Sequence, residues 1–165
     1  MNFLSIQNDA EELKAMFKPL CLKFEIAGSV RRLNKNDNGL VTDKPKDIDF
    51  VCVPDRFKLE QFLKLNKYKL NLTMLKNGPL YKQFKYKGNT VDLYITDLNN
   101  FGWTFFLRTG SKEWNIRAVQ RLKDKGITAK NGKLYDKDNN ILTVQEEADV
   151  FILLECDFIE PIRRK

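Results

Sequence analysis

Histidine is absent from this chain of 165 residues. That excludes histidine-based catalytic triads and histidine-ligated zinc, and leaves carboxylates to carry any metal chemistry. Cysteine is scarce. Cys21, Cys52 and Cys156 are odd in number, lack metal-like spacing and lie in apolar contexts. Reduced core thiols are the expectation, which suits a cytosol-like compartment. No apolar run is long enough to span a membrane, and no signal-peptide pattern opens the chain. No membrane partner is expected, and the expected location is the cytoplasm. Acids are missing from Gln61 to Val91, a stretch that carries seven lysines.

What is present is globular. Hydrophobic residues make up 42% and aromatics 12%, enough for one ordinary domain or two small lobes. Net charge is +7 and the pI is about 9.3. Tyr68, Tyr81, Phe84 and Tyr86 are interleaved with the lysines of the acid-free stretch. Lysines interleaved with aromatics suit a polyanion. Alone, they better suit a solvated strand face over core aromatics.

The most informative feature is Gly28-Ser29 followed by Asp47-x-Asp49. On a strand, residues two apart share a face, so Asp47 and Asp49 project side by side while Ile48 turns to the core. Adjacent carboxylates raise each other's pKa unless a cation neutralises them. Two Mg²⁺ ions would do so, with Mn²⁺ as a substitute, and that arrangement serves phosphoryl transfer. The Gly-Ser turn supplies backbone N–H groups able to cradle a phosphate.

Periodicity predicts a helix over Asn8–Leu20, a strand over Lys23–Ala27 and a loop over Leu33–Lys46. It predicts a central strand over Ile48–Val53, closed by Pro54, and a helix over Arg56–Leu65. Tyr81–Lys87 and Thr90–Thr96 read as a hairpin about Gly88-Asn89. Asp97–Asn100 marks a boundary between a lobe of residues 1–98 and one of residues 99–165. In the second lobe, helices are expected over Asn99–Leu107 and Ser111–Lys125. A hairpin about Asn131-Gly132 follows, then a last helix opened by a Thr143-x-x-Glu146 capping box.

Two further features carry chemistry. Asp92 stands between Val91 and Leu93 in a β run, so it is aimed at one definite face. Beside the strand of Asp47 and Asp49 it would be a third carboxylate; otherwise it is a strand-end acid in solvent. Thr109-Gly110-Ser111 opens a helix with Asn115 on the Ser111 face, an arrangement that reads as an anion site or as a plain serine N-cap.

GSVRR, DID, VDL, TGSKEWN and EEADVF with IEPIRR, in that order, resemble the family X DNA polymerases (the polymerase beta-like nucleotidyltransferases). The compact layout looks like short phage or viral members, for which the location becomes the host-cell cytoplasm. The resemblance implies an α+β fold. A nucleotidyltransferase palm, a mixed or antiparallel sheet with helices on one side, would carry a small α/β thumb. It implies a monomer that binds primer-template or gapped DNA, adds dNTPs to a 3′ end and releases pyrophosphate. Asp47 and Asp49 would bind both metals, and Asp92 would complete the catalytic metal site and orient the primer hydroxyl. Gly28, Ser29 and Arg32 match positions that contact the triphosphate. Gly110, Ser111 and Asn115 match positions that hold the sugar, the base edge and the minor-groove side. Lys64, Lys82, Lys85, Lys87, Arg117 and Arg121 are the expected contacts to the nucleic-acid backbone.

The chain departs from the family in places. The stretch before Gly28 is too short for a lyase lobe or a helix-hairpin-helix, so lyase activity and anchoring through a 5′-phosphate are not expected. An aromatic pair common before T-G-S is replaced by Leu107 and Arg108. Val119 stands where an arginine is common. Two alternatives keep parts of this reading. One is a nucleotidyltransferase acting on a protein or small molecule; the other is a non-catalytic DNA-binding relative.

Overall fold

A computed structural model of the chain describes residues 3–33 and 45–164. The loop expected over Leu33–Lys46 therefore lies mostly outside the described residues. Helix α1 (Phe3–Phe17) leads to strand β1 (Cys21–Ile26) and a single helical turn, α2 (Gly28–Arg31). Then come β2 (Asp47–Pro54), α3 (Arg56–Asn66), β3 (Thr73–Asn77), β4 (Tyr81–Tyr86) and β5 (Asn89–Ile95). The remainder is α4 (Phe101–Thr109), α5 (Lys112–Asp124), β6 (Thr128–Lys130), β7 (Lys133–Tyr135) and α6 (Glu147–Leu153). The fold class is α+β.

The first five strands form one sheet in the order β1-β2-β5-β4-β3. It is mixed, because β2 and β5 run parallel while the other neighbours are antiparallel. Strict alternation sorts its side chains. Ile48, Phe50, Val91, Leu93 and Phe84 point to one face, where α1 packs through Leu13 and Phe17 and α3 through Leu59 and Leu63. Each such fully buried side chain contributes roughly 1.5–3 kcal/mol. A second core joins Trp103 and Phe106 of α4 to Leu122 of α5, Leu134 of β7 and Phe151 of α6. A small third cluster of Ala27, Val51, Val53, Phe101 and Phe105 ties the other sheet face to α4. Among the described residues, no helix is long and apolar enough to cross a membrane.

Three local expectations are corrected. Helix α1 begins at Phe3, well before Asn8. Strand β3 was not anticipated, because Thr73–Asn77 is an exposed edge with little apolar alternation. The last helix is not opened by Thr143. Glu146 is its N-cap, and the Asp149 carboxylate accepts the Glu146 N–H at 2.8 Å. All three cysteines are free thiols.

Candidate active site

The sheet face turned away from α1 and α3 carries the acids. In the parallel β2–β5 ladder Asp49 stands directly opposite Asp92, and Asp47 opposite Thr90. Asp47 and Asp49 share their face with Val51, and Asp92 shares it with Tyr94, as the two-residue repeat requires. Strand β4 extends this face with Tyr81 opposite Tyr94 and Gln83 opposite Asp92. Tyr81 OH and Gln83 Nε2 both donate to Asp92 Oδ1, at 2.6 and 2.8 Å. The Tyr81 and Tyr94 rings lie 5.2 Å apart, and the Arg108 guanidinium sits 4.0 Å from the Tyr94 ring centre.

The Gly28 turn presses against Asp49. Ala27 N–H donates to Asp49 carbonyl oxygen at 2.8 Å, which pins the turn to β2. Gly28 has φ of +60°, and a Cβ there would lie 1.9 Å from Asp49 Oδ2. Glycine is required both for the left-handed backbone and for this approach. The two arginines that follow reach the other half of the chain. Arg31 donates to both oxygens of Glu147, at 2.8 and 2.7 Å, and to Thr109 Oγ1 at 2.6 Å. Arg32 donates to the Thr109 carbonyl.

The second glycine turn faces the first. Gly110, with φ of +70°, joins α4 to α5 through a cis peptide bond to Ser111. Ser111 Oγ accepts from Trp114 N–H at 3.3 Å, so it does cap α5. Asn115 Nδ2 donates to Leu107 carbonyl at 2.8 Å, while its buried Oδ1 has no partner among the described residues. Between the turns lies an open cleft of about 410 Å³. Its wall brings together Gly28, Ser29, Arg32, Asp47, Asp49, Gly110 and Asn115. Lys112, Arg108 and Ile116 complete it. Asp92 is 7% exposed and is not among the residues lining this cleft.

The electrostatics are those of crowded acids. Burial, then the neighbouring Asp47 and Asp92, pushes Asp49 up to about 7, against the pull of Arg108 and Arg32. Asp47 is raised by burial and by Asp92. Tyr81 is pushed well above the usual phenol range by burial first and then by its bond to Asp92, so it remains a donor. Among the described residues, no group of three or more acidic or cysteine side chains is arranged to hold a metal ion. Magnesium is commonly held by one or two carboxylates and completed by substrate phosphate and water. The donor set fits such an ion: hard oxygens, already crowded enough to resist ionisation.

The expected nucleic-acid contacts fare differently. Lys82 is 2% exposed, shares its face with Phe84 and Tyr86, and pairs with Glu60 at 2.6 Å. It is a core lysine, so the reading of Lys82 as a backbone contact is corrected. Lys64 is an exposed residue of α3, on the helix-covered side of the sheet. Lys87 pairs with Glu12 and Asp9 of α1, also on that side. Lys85 shares the acid-bearing face and donates to Thr90 Oγ1 at 2.6 Å. Lys76 joins it there, over the Tyr81 ring. Arg117 lies by the Trp114 ring and Arg121 donates to the Glu155 carbonyl; neither lines the cleft.

Sequence reasoning missed Gln83, Tyr94 and the Arg31–Glu147 pair, and it named Tyr81 and Arg108 without the roles they have here. Counting back from the hairpin turn would have placed Gln83 opposite Asp92. Arg31 and Glu147 lie 116 residues apart and gave no such signal.

A search among curated proteins found no match to the chain. Residues 104–165, from within α4 onward, match the family model described as the DNA polymerase beta thumb, and this supports a relationship with the family X polymerases.

Proposed function

We propose that the chain is a DNA polymerase of the family X type, a template-directed nucleotidyltransferase that fills gaps or extends recessed ends. In this reading residues 1–98 form the palm and residues 99–165 the thumb. The observation that carries it is one cleft that unites Asp47, Asp49 and the Gly28 turn with Gly110 and Asn115, the latter two within the thumb-like segment. Asp47 and Asp49 would hold two Mg²⁺ ions, or Mn²⁺, and Asp92 would share the catalytic one. When bound, the ions neutralise triphosphate charge and activate the attacking hydroxyl. The chain's own part is positioning. The N–H groups of the Gly28-Ser29 turn face the phosphates, Arg32 and Lys112 add cationic charge, and Asn115 Oδ1, unpartnered among the described residues, offers an acceptor to the nucleotide. The protein works on DNA and dNTPs, as a monomer.

The basic residues on the acid-bearing face set the DNA track. Replacing Lys76 and Lys85 together by Ala is expected to weaken DNA binding equally for all sequences. The slope of log affinity on log salt should fall by about 0.9 for each duplex phosphate that the variant no longer neutralises. Replacing Lys64 and Lys87 together should leave both unchanged. Fluorescence anisotropy across a salt series reads the difference.

The functional test is extension of labelled 3′ ends on gapped, recessed and single-stranded DNA with Mg²⁺ and a dNTP mixture. Extension of templated ends is expected. A folded protein that extends none of them would move the assignment to a protein or small-molecule acceptor.

A further inference from the structure

Asp92 is the acid that the cleft does not expose, and its orientation is set from the neighbouring strand. Antiparallel pairing puts Gln83 directly opposite Asp92 and Tyr81 opposite Tyr94, two residues further along β5. From those places the Gln83 amide and the Tyr81 hydroxyl reach the same carboxylate oxygen, Oδ1. Among the described residues no donor is bonded to Oδ2. Two directional bonds on one oxygen fix the plane of a carboxylate and leave its other oxygen for a ligand. The Tyr81 ring is itself held. Tyr94 packs beside it, and the Lys76 ammonium lies 5.5 Å from its ring centre. Tyr94 in turn is covered by Arg108, which comes from α4. The hydroxyl is therefore delivered by a packed stack rather than by a mobile side chain.

We propose that Tyr81 and Gln83 are positioning residues that hold the Asp92 carboxylate by Oδ1 and present Oδ2 to the catalytic cation and the attacking hydroxyl. This rests on the polymerase reading above for the identity of the hydroxyl, but not for the cation. Groups that orient a metal ligand typically change metal affinity or activity by about 10–100-fold when removed. Asp47, Asp49 and the Gly28 turn would still bind the nucleotide, so the loss falls on kcat and not on KM for dNTP.

The test compares wild type, Tyr81→Phe, Gln83→Leu, the double variant and Asp92→Asn. Tyr81→Phe keeps the ring stack, so it removes the hydroxyl with little risk to folding. Two readouts are taken: Mn²⁺ binding to the protein alone by electron paramagnetic resonance, and single-nucleotide addition at varied Mg²⁺. Each single variant should lose about tenfold in kcat. Half-saturating Mg²⁺ should rise, KM for dNTP should stay within about twofold, and melting temperatures should be unchanged. Mn²⁺ affinity should fall in the double variant, in the same direction as in Asp92→Asn. A double variant with wild-type kcat and wild-type Mn²⁺ affinity would overturn the proposal. So would losses seen only where the melting temperature also drops. If wild type adds no nucleotide to any end, the polymerase reading falls, and the Mn²⁺ measurement alone decides the positioning role.

Discussion

Asp49→Asn is expected to lower nucleotide addition by on the order of 10³-fold or more, while raising thermal stability at neutral pH. The two effects share one cause. Asp49 is half-buried beside Asp47 and Asp92, and desolvation first, then the two neighbouring acids, pushes its carboxyl up to about 7. A carboxyl that holds its proton more tightly folded than unfolded stabilises the fold fully below its unfolded pKa of about 3.9. That stabilisation is lost as pH rises through about 7. Each pKa unit corresponds to about 1.4 kcal/mol, so at pH 8 the ionised site costs a few kcal/mol at most. Asparagine keeps the shape and removes the charge, so the variant should melt higher than wild type at pH 8. The two should converge near pH 4. Added Mg²⁺ with nucleotide should stabilise wild type but not the variant, because a ligand that binds only the folded state raises its stability. Scanning calorimetry at three pH values checks the first part, and primer extension the second. An Asp49→Asn protein less stable than wild type at pH 8 would contradict the crowding.

Glu147→Ala is expected to cost about 3–5 kcal/mol, a fall in melting temperature on the order of 10 °C. Glu147 is 6% exposed and lies between two guanidiniums. Arg31 grips both its oxygens, and Arg164 donates to Oε1 at 2.6 Å while buried among Phe106, Phe151 and Phe158. Burial raises the Glu147 carboxyl, but bonds from Arg31 and Arg164 outweigh it and leave it below the usual range. Its contribution is therefore present above the unfolded carboxylate pKa and lost as pH falls through the lower folded value. Alanine strands Arg164 as a buried, unpaired charge, which is the expensive outcome. Replacing all three charged residues by apolar ones of similar volume should cost less than Glu147→Ala alone. A loss under 1 kcal/mol in urea denaturation of Glu147→Ala would show that solvent screens the triad. Because Arg31 adjoins the Gly28-Ser29 turn, the variant should also loosen the cleft and raise KM for dNTP.

Much of this was legible in the sequence for identifiable reasons. The continuous Ile48–Val53 run and the Gly88-Asn89 hairpin signal located β2, β4 and β5. Their two-residue repeat put Asp47, Asp49 and Asp92 on one face. Lys82 was misread because positive charge was counted along the chain. The alternation of Tyr81, Gln83 and Lys85 against Lys82, Phe84 and Tyr86 already assigned it to the core side. Strand β3 left no signal because an exposed edge needs no apolar repeat. The Glu146 cap was hidden by overlap, since Thr143-x-x-Glu146 and Glu146-x-x-Asp149 both fit a capping box. The Arg31–Glu147–Arg164 triad and the Arg108–Tyr94 stack join distant segments, so only tertiary packing could reveal them.

The most direct test of a template-directed polymerase is single-nucleotide addition in a one-nucleotide DNA gap. Each dNTP is offered alone, opposite each template base in turn, with and without Mg²⁺. The account predicts addition only of the complementary dNTP, only with the metal. Addition that ignores the template base, or no addition by a folded protein, would contradict it.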